Sequence, residues 1–350
     1  MRELQPPEGY SSTAGNLLSN AGHVVGWASG ENDIQVRWEP DGSVTRLMAL
    51  DSSSSPSPKA INDEGIIAGA SHTPEGKSHA VTWDASGKPK RLEEPEGYLE
   101  SWAEHINNRN VAVGTATRYH DIWAVRWDRD GKPTFLERPQ YAIGSHATRI
   151  NENGEIIGGA RFGSGLGGAV RWDANGKVKY LAIDTLAQRA GAWDINNRGT
   201  VAGGAYDPST HTWRAARALR CCIFRVMPGA SEDSDLYDVN NRDVFLGSHK
   251  RADGVRETVR WENDRMVTMK PVPGTTSHSV APMLNDAGLA VGSSDQHAAV
   301  WDASGNATLL PDEKPGQILK RSYALAINNA GQILGTADYW DVPKRAVIWS

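Results

Sequence analysis

Four polar residues recur at one register of this 350-residue chain: His105, Arg149, Asp194 and Asp238 follow one another at intervals of 44 or 45. Three residues upstream a second register carries Trp102, His146, Gly191 and Asp235, and a third, directly before the first, carries Glu104, Thr148, Trp193 and Tyr237. Imidazole, carboxyl and phenol groups can move protons, and a guanidinium can steady an oxyanion or enolate. His146, Asp235, Tyr237, Glu104, His105 and Arg149 are therefore candidate catalytic groups. The bland alternative for His105, Arg149, Asp194 and Asp238 is a buried, satisfied chain of ion pairs between neighbouring units.

Residues so far apart meet only if each interval is one unit of a closed repeat. One phrase, Ile-Asn-x-x-Gly followed by a short apolar run and a second Gly, recurs at Ile61-Asn62, Ile150-Asn151, Ile195-Asn196 and Ile327-Asn328, with degenerate copies at Ser19, Asn107, Asn240 and Asn285. The eight anchors are spaced by 43 to 45 residues and use the whole chain. A second phrase, Ala-Val-x-Trp-Asp-x-x-Gly, follows each first one, as in Ala80-Val81-Thr82-Trp83-Asp84. Between the phrases run short β-branched segments bounded by Asn, Asp and Gly, four to a repeat, which we label strands A to D. No stretch keeps a helical apolar period. Eight such units predict an all-β, eight-bladed β-propeller over residues 1–350, with four antiparallel strands per blade.

The ends predict how the ring closes. The eighth repeat stops at Trp349-Ser350 after strand C, while Arg2-Glu3-Leu4-Gln5-Pro6 matches the segment after strand C of another repeat, Arg91-Leu92-Glu93-Glu94-Pro95. Residues 1–8 are thus expected to form the outer strand of the last blade and remove an open edge.

In such a ring strand A borders the channel. The three registers then give a wall that is ionisable on blades 3 to 6 and apolar on blades 7, 8, 1 and 2. That suits an elongated ligand with one polar end at the channel mouth. Candidate ligand contacts from strand A are Trp102, Trp193 and Tyr323, with His278 and Arg321 nearer the open end, where Glu100, Arg189 and Asp233 also lie. Loops that vary over a constant scaffold carry function. The B–C loops add Tyr119, Phe162, Tyr206, Trp213 and Trp340, for which loop-on-loop packing is the competing explanation.

The pattern Asn-x-x-Gly-x-Ile-x-Gly followed by His79-Ala80-Val81-Thr82-Trp83 or His297-Ala298-Ala299-Val300-Trp301 resembles the bacterial HAF-repeat propellers. The chain is also similar to cytoplasmic propellers of actinomycete polyether (tetronate) antibiotic pathways, which implies a cofactor-free cyclase or isomerase acting on a polyketide-type molecule. A lectin-like or other non-catalytic binder and a protein-interaction scaffold are the alternatives. The Trp-Asp pairs open C–D turns and lack the Gly-His partner of WD40 repeats.

Composition narrows the partners. With 36 Gly, 13 Trp, 23% charged residues and a net charge of −5, the chain is expected to bind a small molecule rather than nucleic acid or a membrane, and to be monomeric. The opening residues lack an apolar signal core, so a cytoplasmic location is expected. Ten scattered His and two adjacent Cys suggest neither a metal nor another cofactor. Gly163-Ser164-Gly165-Leu166-Gly167-Gly168 fits a dinucleotide fingerprint, but no helix follows to receive the phosphates. Asp128-Arg129-Asp130-Gly131 lacks the later Glu of a calcium loop.

Overall fold

All eight blades share one turn, and blades 1 to 4 and 7 share a second. In blade 2 the Asn62 side chain accepts the Ile66 N–H at 2.9 Å while Gly65 reverses the chain at φ +75°. Glycine takes that conformation without a Cβ clash. In blades 3 and 6 the position falls to Asn110 and Asp243, both at φ 59°, residue types that tolerate it best. In the Asp-x-x-Gly turn, Asp84 Oδ1 accepts the N–H groups of Ser86 and Lys88 at 2.9 and 3.2 Å.

A computed structural model describes the chain except for residues 53, 164–166, 184–188, 221, 276–277 and 312–315, and the side chains of 183 and 278–282. It is an eight-bladed β-propeller, with no helix among the described residues. Strands A to D pair in chain order within blades 1 to 7, as blade 3 shows with Glu100–Ile106, Ala112–Arg118, Asp121–Trp127 and Pro133–Phe135. Blade 5 departs from the expected four. A two-residue strand, Ala182–Ile183, pairs parallel to its outermost strand, Ile223–Val226. Its signature Trp is replaced by Ala218, and Phe224 lies fully buried in the same core cluster. Cys222 is a free, half-buried thiol, and Cys221 lies outside the described residues.

The ring closes as the repeat predicts. Arg2–Leu4 pairs antiparallel with Arg345–Trp349, with Arg2 opposite Ile348 and Leu4 opposite Ala346. Two features join blade to blade. Seven signature tryptophans, Trp38, Trp83, Trp127, Trp172, Trp261, Trp301 and Trp349, each donate the indole N–H to a carbonyl after the outer strand of the preceding blade, at 2.6 to 3.0 Å. At the Asn-x-x-Gly face, the residue after each anchor donates its N–H to the side chain of its counterpart in the next blade. The sequence runs Asn20, Asp63, Asn108, Glu152, Asn197, Asn241, Asp286, Asn329 and back to Asn20. That belt has no gap. These exposed or part-buried bonds, some charge-assisted, contribute about 1 kcal/mol or less each, and together they fix the angular position of every strand A.

Candidate functional site

The belt and the pins hold strand A, and a bulge in that strand aims the side chains. In seven blades the A–B pairing skips one residue, and in blades 3 to 6 the skipped residues are Glu104, Thr148, Trp193 and Tyr237. A bulge puts an extra side chain on one face without breaking the ladder. In blade 5 it turns Trp193 toward blade 6, where the indole N–H donates to Asp235 Oδ1 at 2.8 Å.

A cavity of about 770 Å³ opens across blades 4, 5 and 6. Strand A supplies His146 and Arg149 from Ala142–Ile150, Arg189 and Trp193 from Arg189–Ile195, and Asp235 and Tyr237 from Asp235–Val239. Trp213 closes one side, its ring 5.9 Å from Trp193 and 5.4 Å from Tyr206. A second space of about 330 Å³ shares His146, Gly167 and Arg189 with the first, so the two meet beside the imidazole.

Glycine makes this room. The residue after the second repeat glycine is Trp27, Ala70, Thr115, Gly159, Gly204, Ser248, Ser293 or Thr336 in blades 1 to 8. Only blades 4 and 5 leave the position without a side chain. A Cβ on Gly159 would stand 2.6 Å from His146 Cε1, and one on Gly204 2.9 Å from Trp213 Cε3. In strand C, blade 4 has Gly167-Gly168 where blade 3 has Ile122-Trp123. The last two glycines of the rejected dinucleotide fingerprint are therefore a cavity wall. Gly159→Ala is expected to push the His146 ring aside while leaving the melting temperature within about 2 °C, since the clash is with a side-chain tip. An NMR titration of the imidazole checks this, and an unmoved His146 resonance would contradict the cradle.

Electrostatics separate the groups. His146 faces the open cavity and has no hydrogen-bond partner among the described residues. The protein around the ring holds its pKa below the ordinary imidazole value by desolvation, so the ring is a neutral base near pH 7. Burial raises the Asp235 carboxyl above the usual range, against the lowering pull of the Trp193 N–H and its own strand. Tyr237 donates its hydroxyl to Ser248 at 2.6 Å.

The ion-pair chain expected as the alternative for His105, Arg149, Asp194 and Asp238 is not what forms. Val239 N–H lies 3.1 Å from Asp194 Oδ2 and 2.9 Å from Asp238 Oδ1, so two acids meet at one donor. Asp238 also accepts the Leu284 N–H at 2.7 Å. Desolvation, then the Asp194 charge and its hydrogen bond, raise Asp238 well above the ordinary carboxylate value. His105 is held down to about 3 by desolvation and by the Arg149 charge, and its Nδ1 is buried without a partner. A raised acid binds a proton in the folded state that the unfolded chain releases. Its stabilisation is complete at low pH and is lost as pH rises through the raised value. Asp238→Asn removes the charge but keeps an acceptor for only one of the two N–H donors, Val239 or Leu284, so its melting temperature relative to the parent is expected to improve from pH 5 to pH 8 on top of a pH-independent loss. An equal change at both pH values would count against a shared proton.

Other candidates lie elsewhere. Trp102, Glu104 and His105 sit on blade 3, where Thr115 and Trp123 fill the equivalent space; Trp123 is buried under Arg138 at 4.1 Å. Tyr323 and Arg321 belong to blade 8, opposite the cavity, and Arg321 pairs with Asp338 at 3.1 Å. Phe162 stands behind Gly168 and packs on Tyr180 at 6.2 Å. Tyr206 backs Trp213 and takes Arg189 over its ring at 5.8 Å. Tyr119 and Trp340 are surface residues, 89% and 66% exposed. The side chain of His278 lies outside the described residues. Thus His146, Arg149, Asp235, Tyr237, Trp193 and Trp213 come together in one cavity. The strand B and C glycines, which carry no chemistry of their own, are what a search for reactive side chains overlooks.

The chain matches no protein-family model and no curated protein in sequence. Among solved structures it is similar to prolyl endopeptidases (TM-score 0.59, 13% identity, covering 94% of this chain and 53% of that one). It is also similar to dipeptidyl peptidase 4 of Porphyromonas gingivalis (TM-score 0.58, 9% identity, 97% and 58%). A putative TolB from Agrobacterium tumefaciens aligns at TM-score 0.41 and 14% identity over 75% of this chain and 83% of its own. The chain spans little more than half of the two peptidases, and at these identities the likeness is one of propeller fold.

Proposed function

We propose that the cavity of blades 4 to 6 binds a largely apolar, polyketide-type small molecule and catalyses its cyclisation or isomerisation by side-chain proton transfer. The observation that carries this reading is the meeting in one cavity of an unpartnered imidazole, His146, and a carboxyl, Asp235, the first held below and the second above its ordinary value by burial. Groups whose surroundings push their pKa values toward each other make an acid and a base that work in one pH range. His146 takes a proton from the substrate and Asp235 gives one at a second position. No atom is gained or lost, and solvent returns the proton from His146 to Asp235. Arg149 holds the oxygen-bearing head group, and Trp193 with Trp213 forms the apolar wall. Side chains suffice for such a step, so the reading calls for no cofactor.

The aromatic cluster of Trp193, Trp213 and Tyr206 also favours a second reading, a non-catalytic binding protein that uses these rings as a platform. The peptidase names of the structural neighbours lend no chemistry here, because identities of 13% and 9% show a shared fold alone. The pH profile separates the two readings. Catalysis by this pair predicts a bell-shaped kcat/KM with its optimum between the ordinary carboxylate and imidazole values of 3.8 and 6.5. A rate that is flat from pH 4 to pH 7, or no conversion of any cyclisable polyketide-type compound that binds, would leave only the binding reading.

A further inference from the structure

We infer that the ligand of this cavity is an organic acid, held by its carboxylate against Arg149 with its apolar body along the glycine shelf. The inference names the ligand class for the site proposed above and rests on that placement. Arg149 is the only cation among the eight residues at its register, the others being Leu17, Ala60, His105, Asp194, Asp238, Met283 and Ala326. It is half-buried and lines the cavity, yet its one hydrogen bond among the described residues runs to Thr148 O at 3.1 Å. A guanidinium has five N–H donors. The others are neither bonded nor sealed among protein atoms, so they open to the cavity.

Two acids of the neighbouring strands, Asp194 and Asp235, are engaged elsewhere, and Glu104 on the preceding blade makes no ion pair with it among the described residues. Asp194, on the next blade, reaches away to the Val239 N–H and shares that donor with Asp238. Asp235 is the one carboxyl in the lining among the described residues, and it accepts the Trp193 indole N–H. Arg189, nearer the rim, lies over the Tyr206 ring and has no carboxylate partner among the described residues. Among the described residues the lining thus carries two cations without an ion-pair partner inside a chain of net charge −5. A carboxylate fits one guanidinium edge in a two-point hydrogen bond, whereas an alcohol of equal length leaves the donors half used.

Binding of decanoate, 1-decanol and decylamine to the full chain, followed by calorimetry and by quenching of Trp193 and Trp213 fluorescence, tests this without reference to turnover. Decanoate is expected to bind at least about tenfold more tightly than decanol, and decylamine more weakly than either. Arg149→Gln is expected to bring decanoate level with decanol, and Arg149→Lys to restore part of the difference. Equal affinity of the parent protein for acid and alcohol would overturn the inference, and so would a folded Arg149→Gln variant that keeps the full preference. The acid–alcohol comparison on the parent needs no variant to fold. Because no reaction is measured, acid selectivity can fail while proton-transfer catalysis stands, or hold while it falls.

Discussion

Removing residues 1–8 is expected to lower the melting temperature by about 10 °C or more and to make the protein prone to self-association. Leu4 is 1% exposed and packs in the core cluster shared by blades 8 and 1. Its carbonyl accepts the Thr13 hydroxyl at 3.0 Å, and the Gln5 carbonyl accepts the Trp38 indole at 2.8 Å. Loss of a buried leucine costs about 2–5 kcal/mol. Two donors left without their acceptors add about 1–3 kcal/mol each. The strand Arg345–Trp349 would also become an open edge, ready to pair with another copy. Calorimetry on the truncated chain checks this, and a melt within about 2 °C of the full chain would show that the opening strand does not close the ring.

Asp235→Asn is expected to cut turnover by about 10²–10⁴-fold while shifting the melting temperature by no more than about 2 °C. Asparagine keeps an oxygen for the Trp193 N–H and removes only the exchangeable proton and the charge. The bell-shaped pH profile should lose one limb in the variant. Unchanged turnover would remove Asp235 from the chemistry and leave it as a support for the Trp193 ring.

The repeat was readable because every blade states the same turn chemistry in sequence. Asn62, Asn151 and Asn196 each cap a turn and reach the next blade, so a fixed spacing of anchors is also a fixed angle in space. Closure was readable because the opening residues Arg2 to Pro6 resemble the stretch from Arg91 to Pro95 that follows strand C in another repeat. The site was legible in part. Comparing blades at strand A picked out His146, Arg149, Trp193, Asp235 and Tyr237, since the registers equate positions in space. It could not tell blade 3 from blade 4, because what differs there is volume. Thr115 and Trp123 fill in blade 3 what Gly159 and Gly168 leave open in blade 4. The same comparison applied to strands B and C carries that signal. The Asp194–Asp238 contact was misjudged for a different reason. Cationic types followed by acids at one register suggest ion pairs, but each acid here turns to the backbone of the following blade, which sets acid beside acid.

Photolabelling with a diazirine-bearing hydrophobic acid and its matching alcohol tests most directly where the molecule binds. The account predicts that peptide mapping will place the label on the strands Ala142–Ile150, Arg189–Ile195, Thr212–Ala218 and Asp235–Val239, with competition by unlabelled ligand. Label spread over the Tyr119 and Trp340 loops, or concentrated on blades 8, 1 and 2, would contradict it.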